Sequence, residues 1–328
     1  MFQPTSSRSS LGEALSGWPP PVLDPSGPYS SQLTALTWFL LGLMTLIFIF
    51  VCMALWVALF GSGRMKAKLG GEKVVRWFGL IIPTGVLAVL LIVGLALTSR
   101  LTGVTGNEPR IQVAGNNYWW RVAYLDERRR PMFSDANEVH IPVGQPVVLE
   151  LTGEDVIHSF WVPKLHGKMD TIPGRVNTLK LQADRPGVYG GQCAEYCGGA
   201  HALMGFVVVA HEPGEWRQWI ASRRAPQPQI AAAASPEAAR GAQLFTETGC
   251  AACHRIAGTA AQGVSGPDLT YVGARRSIGA GILPNTRGTL TGWIGDSQSI
   301  KPNNRMPAYR SLPAQDLNAL AAYMETLR

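Results

Sequence analysis

Two stretches of this 328-residue chain carry no charge at all, one between Gln32 and Phe60 and one between Trp77 and Ser99. Each is long enough to cross a bilayer, which takes ~20 apolar residues. In hydrocarbon a backbone can bond only to itself, so both runs are expected as helices, over 33–60 and 77–99. Pro83 falls near the start of the second run, where a missing N–H is tolerated. Two helices buried in a soluble core are the alternative, and their length and lack of charge count against it. The loop between them, 61–76, sets Arg64, Lys66, Lys68, Lys73 and Arg76 against Glu72 alone. The positive-inside rule places that loop in the cytoplasm, and so puts the N-terminus and everything after Arg100 outside.

The composition agrees. Charged residues make up 16% of the chain, where soluble proteins carry ~25%. The net charge is +7, and the 61–76 loop holds the largest single excess, so the basic balance reports topology. No basic stripe interleaved with aromatics is present, and nucleic acid is not expected as a partner. Residues 1–31 are rich in Ser, Pro and Gly and lack a basic stretch followed by an apolar core, so a flexible tail is expected there, not a cleaved leader.

From 101 to 224 the pattern changes to short β-branched and aromatic runs separated by turns, such as IQVAGNNYWWRVAYL, EVHIPVGQPVVLEL and MGFVVVAH. That spacing predicts a β-sandwich, closed by a short helix over Glu212–Arg224 with Trp216 and Trp219 on one side. Residues 225–236 (APQPQIAAAASP) read as a linker. Beyond it, 237–328 predicts a small all-α domain. Glu237–Thr248 and Ala314–Leu327 have helical spacing, the latter with Leu317, Leu320, Ala321 and Met324 on one face. The expectation is therefore a multidomain membrane protein: tail, two-helix transmembrane hairpin over 32–100, sandwich, linker and helical domain.

Of five cysteines, Cys52 lies in the first apolar run and reads as packing. Cys250-Ala-Ala-Cys253-His254 is the attachment signature of a c-type haem: two thiols one turn apart for the vinyl groups, and an imidazole beside them for the iron. A redox disulfide or half a zinc site would not need His254, and no second cysteine pair follows to complete a zinc site. No histidine follows 254, so the other axial ligand is expected to be a thioether. Met306, in the loop Asn303-Asn-Arg-Met-Pro-Ala, is preferred over Met324 inside the last helix. Met/His ligation raises a haem potential, which suits electron transfer.

The remaining pair lies in Gly191-Gln-Cys193-Ala-Glu195-Tyr-Cys197-Gly-Gly-Ala-His201-Ala-Leu-Met204. Soft thiolate and thioether donors with imidazole select copper. A mononuclear blue-copper site needs one cysteine. Two can bridge a pair of coppers, each also held by one imidazole, here His201 and the separate His158. Met204 and the Glu195 carbonyl would complete the shells. A Cys193–Cys197 disulfide is the alternative that an outside location allows.

On this loop and hairpin, residues ~33–212 closely resemble subunit II of haem–copper cytochrome c oxidases, and the fused domain with CAACH and RMPAY resembles the caa-type branch of that family. The resemblance implies a cupredoxin fold for the sandwich and a cytochrome c fold for the last domain. It implies a binuclear copper centre on His158, Cys193, Glu195 (backbone oxygen), Cys197, His201 and Met204, with the Glu195 side chain also reaching a magnesium shared with subunit I. It implies covalent haem c on Cys250, Cys253, His254 and Met306. Subunit I and subunit III would be partners in a bacterial cell membrane, and the upstream donor a soluble cytochrome c or a quinol-oxidising complex. The chain would carry electrons and not reduce oxygen itself. A copper and haem component of a nitrogen-oxide reductase, or a free-standing anchored carrier, are the rival readings.

Two features depart from the family pattern. The aromatic strand reads Tyr118-Trp119-Trp120 in place of Trp-Tyr-Trp, so Tyr118 stands where electrons would arrive. Arg76 stands where the second helix often begins with Glu, with Glu72 the nearest acid. His140, His166 and His211 are expected at the surface or at strand ends, not as ligands.

Overall fold

The computed structural model describes residues 21–224 and 234–328. Most of the expected linker and most of the expected tail fall outside these. The chain divides into a helical unit, Ser31–Thr105, and a larger unit holding the rest.

In the helical unit, one helix runs over Pro28–Phe60 and a second stretch over Glu72–Thr102, both with a mean hydropathy of 2.7 in their most apolar window. Their apolar side chains face outward all round, Phe48 and Leu46 at 68% and Ile92 at 67% exposure, as lipid-facing helices require. Phe50 stacks on Phe78 at 5.1 Å between the two. The second stretch starts earlier than the charge pattern implies, at Glu72, and contains a π-helical turn over Trp77–Ile81 before continuing as Ile82–Thr102. Pro83 explains the turn. Its ring would crowd the Gly79 carbonyl and it has no N–H to donate, so the ladder widens, and Ile82 N–H bonds to Trp77 O.

The start of the first helix and the residues before it correct an expectation. Residues 21–31 are not a flexible tail. Ser26 N donates to Lys164 O at 2.7 Å, Ser30 N to Leu165 O at 3.2 Å, and Tyr29 is buried. Gly27 is needed here because a Cβ would meet Gln182 O at 2.3 Å.

The sandwich is built from ten strands: β1 (Arg110–Asn116), β2 (Trp119–Leu125), β3 (Pro131–Ala136), β4 (Glu138–Pro142), β5 (Val147–Gly153), β6 (His158–Trp161), β7 (Met169–Thr171), β8 (Asn177–Leu181), β9 (Gly187–Cys193) and β10 (Gly205–His211). They form two sheets, β3-β2-β1-β5-β8 and β4-β10-β9-β6-β7. β1 pairs with β5, and β4 with β10, in parallel, which needs crossovers between sheets. Trp120, Phe160, Phe206, Leu149 and Leu151 fill the space between the sheets. The Trp120 ring meets Phe206 edge-on at 5.3 Å and Phe160 at 5.7 Å. The helix Pro213–Arg223 covers one end, its Trp216 and Trp219 stacked at 5.4 Å.

The last domain is held by two crossing helices, Pro236–Glu247 and Ala314–Thr326. Gly241 lets them touch, since a Cβ would fall 2.0 Å from Ala319 O. Ser235 caps the first by accepting from Ala238 N, and Thr286 with Thr289 forms a reciprocal cap for a third helix, Arg287–Ile300. Leu244, Phe245, Ile256, Leu290, Leu320 and Met324 form its core.

This domain lies against the sandwich through buried polar contacts. Arg276 N donates to Glu138 Oε1 at 2.5 Å and Gly205 N to Ala280 O at 3.1 Å. Ser134 Oγ donates to Asp268 Oδ2 at 2.5 Å, and the Tyr271 hydroxyl donates to Arg223 O.

Candidate redox centres

β6 and the loop after β9 build the first centre. Cys193 N donates to Met204 O at 3.0 Å and Ala194 N to Ser159 O at 2.9 Å, which folds the loop across the start of β6. A short 3-10 turn over His201–Leu203 then aims His201 and Met204 inward. His158 fits beside β1 only because residue 115 is glycine, where a Cβ would come within 2.6 Å of the imidazole.

The expected ligands converge. Cys193 Sγ lies 3.9 Å from Cys197 Sγ, 3.9 Å from His158 Nδ1 and 3.2 Å from Glu195 O. Cys197 Sγ lies 3.5 Å from His201 Nδ1 and 3.9 Å from Met204 Sδ. Both cysteines are free and buried, so no disulfide joins them. The sulfur–sulfur contact holds Cys193 far below the usual thiol range and pushes Cys197 up, so the pair keeps one proton that a metal must displace. Burial pulls the His158 pKa down, but Cys193 and Asp155 outweigh it and the net shift is upward. Asp155 Oδ1 sits 2.8 Å from His158 Nε2, which leaves Nδ1 facing the sulfurs, the usual carboxylate–histidine support of a metal ligand. Two thiols, two imidazoles and a thioether around one sulfur pair are a soft donor set that fits copper. A cavity of about 390 Å³ opens beside Cys193, His201 and Met204, walled by Trp161 and Gln192. The Glu195 carboxylate is half exposed, with Lys168 Nζ at 3.8 Å.

Tyr118 and Trp120 are buried, while Trp119 is partly exposed with the Arg121 guanidinium over its ring at 4.9 Å. Trp120 meets the His158 ring at 6.0 Å, and the Tyr118 hydroxyl lies against Gly198.

The second centre lies in the helical domain. Cys250 and Cys253 bracket a 3-10 turn that follows Gly249, which has a φ of 81°. His254 Nδ1 bonds to Pro267 O at 2.7 Å, leaving Nε2 free as an iron ligand requires. Burial holds its pKa below the usual value, so the ring is neutral. Gly266 must be glycine, because a Cβ would fall 2.7 Å from that ring. Met306 is fixed by its backbone: N donates to Asn304 Oδ1 at 2.8 Å, and its carbonyl accepts from Gln298 Nε2 at 2.6 Å and Ser297 Oγ at 3.0 Å. Met306, Cys250 and Tyr309 pack against the same apolar cluster, whereas Met324 is buried inside it. A thiol pair with a neutral, oriented imidazole fits covalent haem.

The other histidines correct the sequence expectation. His140 and His166 are buried, not at the surface. His140 Nδ1 lies 2.7 Å from His211 Nε2 and its ring stacks on Trp219 at 4.2 Å; His166 packs against Tyr29 at 5.1 Å. His211 does end β10, as expected. Sequence reasoning missed Asp155, Lys301 and Arg305, whose partners are remote in sequence and follow no motif.

A hydrophobic hairpin, a cupredoxin-type sandwich with a thiolate–imidazole loop and a C-x-x-C-H helical domain define a membrane-anchored electron-transfer protein. Residues 109–211 match the family of the periplasmic domain of cytochrome c oxidase subunit II, and residues 238–328 match the cytochrome c family. Cytochrome c oxidase subunit 2 of Alkalihalophilus pseudofirmus is 35% identical over 319 residues, 94% of this chain and 90% of that one. The same-named protein of Bacillus sp. strain PS3 is 29% identical over 81% of this chain and 78% of its own. A crystal structure of the periplasmic domain of subunit II of cytochrome oxidase from Bradyrhizobium japonicum shares 30% identity, covering 35% of this chain and 93% of that one, with a TM-score of 0.33. The chain belongs to the cytochrome c oxidase subunit 2 family, with a cytochrome c domain fused at its C-terminal side. It is a subunit of a haem–copper oxidoreductase, which implies copper and haem c as cofactors and subunit I as a partner.

Proposed function

We propose that this chain receives electrons for a respiratory terminal oxidase, on haem c in its last domain and then on a binuclear copper centre that feeds subunit I. Bound at these residues, haem and copper supply one-electron transfer. Cys193, Cys197, His158, His201, Met204 and the Glu195 carbonyl would hold the copper, and Cys250, Cys253, His254 and Met306 would hold the haem.

The protein's own part is preorganisation. Asp155 fixes the His158 ring, Pro267 O fixes His254, and the Ser297 and Gln298 bonds fix the Met306 loop. The Glu195 carboxylate, free to exchange Lys168, contributes to a magnesium site shared with subunit I. The basic 61–76 loop faces the cytoplasm, and both redox domains stand on the outer face of a bacterial cell membrane, next to subunits I and III. Soluble cytochrome c or a quinol-oxidising complex is the upstream donor.

The observation that carries this reading is the set of two imidazoles and a thioether gathered around two unjoined sulfurs, in one compact unit with the C-x-x-C-H domain. Elemental analysis of the purified oxidase tests it. Two coppers and one iron per copy of this chain, beyond those of subunit I, are expected. Removing residues 235–328 should make oxygen uptake depend on added cytochrome c; an unchanged rate and donor requirement would sink the proposal.

A further inference from the structure

The residues just before Met306 touch the copper loop and its support at three places. Lys301 is 2% exposed, and its Nζ donates to Tyr118 O at 2.6 Å and to Gly279 O at 3.1 Å. The Tyr118 phenol in turn packs on Gly198, where a Cβ would come within 2.6 Å of its oxygen, and Gly198 directly follows Cys197. Asn303 covers the next residue: a Cβ on Gly199 would meet its Nδ2 at 2.8 Å. Arg305 Nη2 lies 3.2 Å from Asp155 Oδ2, and the other oxygen of the same carboxylate holds His158.

Two arms therefore leave one short segment and end beside different copper ligands, Cys197 and His158. A buried ammonium is costly unless its donors are satisfied. Lys301 meets that condition only while the two domains are in contact, because Tyr118 belongs to the sandwich. Transient electron-transfer encounters use small, wet, exposed patches. A buried lysine and a glycine at 199 that admits the Asn303 side chain of the other domain are instead features of a lasting interface. Tyr118, whose carbonyl takes the Lys301 bond, is 7% exposed in this arrangement.

We propose that Lys301–Arg305 is a docking clasp, with Lys301 and Asp155 as positioning residues, that keeps the haem-bearing domain seated on the copper loop and denies Tyr118 to any external donor. An incoming donor is then met by the haem-bearing domain. The inference rests on the function proposed above for its purpose, but the contact itself can be tested without any metal.

Hydroxyl-radical footprinting of the full chain in the oxidase reads the exposure of Tyr118. Low oxidation is expected in the parent protein and a severalfold rise in Lys301→Met and in Arg305→Gln. Arg305 is 64% exposed, so its variant should fold even if Lys301→Met does not. Photoreducing the haem and following the copper band gives a second readout: one electron moves, no bond forms or breaks, and loss of the clasp should slow that step by about tenfold or more, as misplacement of reacting centres does. The haem spectrum and the copper near-infrared band should stay unchanged. Tyr118 protection and a transfer rate that both survive Arg305→Gln would overturn the clasp. A parent chain with no copper band would instead defeat the function reading, while the footprint would still judge the contact.

Discussion

Arg275 Nε lies 2.7 Å from Asp135 Oδ1, joining the helical domain to the sandwich with both side chains almost out of water, at 5% and 2% exposure. Arg275 also donates to Asp268 O, and Asp135 accepts from Ala136 N at 2.8 Å. A buried pair adds little net stability over an apolar replacement, but breaking it strands a charge. Arg275→Ala is expected to cost about 3–5 kcal/mol. Asp135→Ala added to it should restore part of that loss. Denaturant unfolding of both single variants and the double, read by the haem band, checks the order; a double variant that loses the sum of the two single losses would mean the pair is not coupled.

Removing one bridging sulfur separates the two centres. Cys193→Ser should abolish the copper near-infrared band and leave the haem spectrum intact, because Cys250, Cys253 and His254 sit in another domain. Met204→Leu should keep copper but shift its potential, since the thioether stands 3.9 Å from one sulfur only and is a weak ligand. Optical and paramagnetic-resonance spectra of the two variants decide. A copper band that survives Cys193→Ser would contradict the ligand set.

The sequence carried what motifs and periodicity can carry. The charge-free runs, the strands from 110 to 211 and the two haem-domain helices were legible because each follows from local pattern. The candidate donors could also be grouped, since His158 is the one outside the copper loop and it opens a strand, and the fold brings them within 4 Å of the sulfur pair. The rest depends on what folding brings together. Asp155 gains its meaning only from Arg305, 150 residues away, and Lys301 only from a carbonyl at Tyr118. The burial of His140 and His166 could not be read either, because a histidine in a strand looks alike on either face until the packing partner, Trp219 or Tyr29, is known. The π-helical turn had a signal in Pro83, but the ladder's response to it is a structural outcome.

The two late methionines should separate cleanly. Met306→Leu removes the expected thioether ligand from a loop held by Ser297, Gln298 and Asn304, so the haem potential should fall and its low-spin spectrum change. Met324→Leu is a near-isosteric change in a core, expected to cost less than about 1.5 kcal/mol and leave the spectrum alone. Redox titration and thermal melting of both variants test the assignment, and the reverse pattern would transfer the ligand role to Met324.

The buried histidine pair predicts acid sensitivity. Burial pushes His140 and His211 down to about 3, and Arg223 and Arg276 nearby add to it, while Asp135 pulls His140 the other way. Between about 6.5 and 3 the unfolded chain binds protons that the folded one refuses, so stability is lost as pH falls through that window. Glu138, 3.5 Å from His140 Nε2, acts in the opposite sense. Burial raises its pKa, so just above its ordinary value the folded state takes the proton first and offsets part of the loss. Each shifted pKa unit is worth about 1.4 kcal/mol, so the pair should dominate and the net loss should reach a few kcal/mol by pH 4. Melting temperature against pH should therefore fall more steeply in the parent protein than in a His140→Gln, His211→Gln double variant, which has no imidazole left to charge. Parallel curves for the two proteins would show that the acid response arises elsewhere.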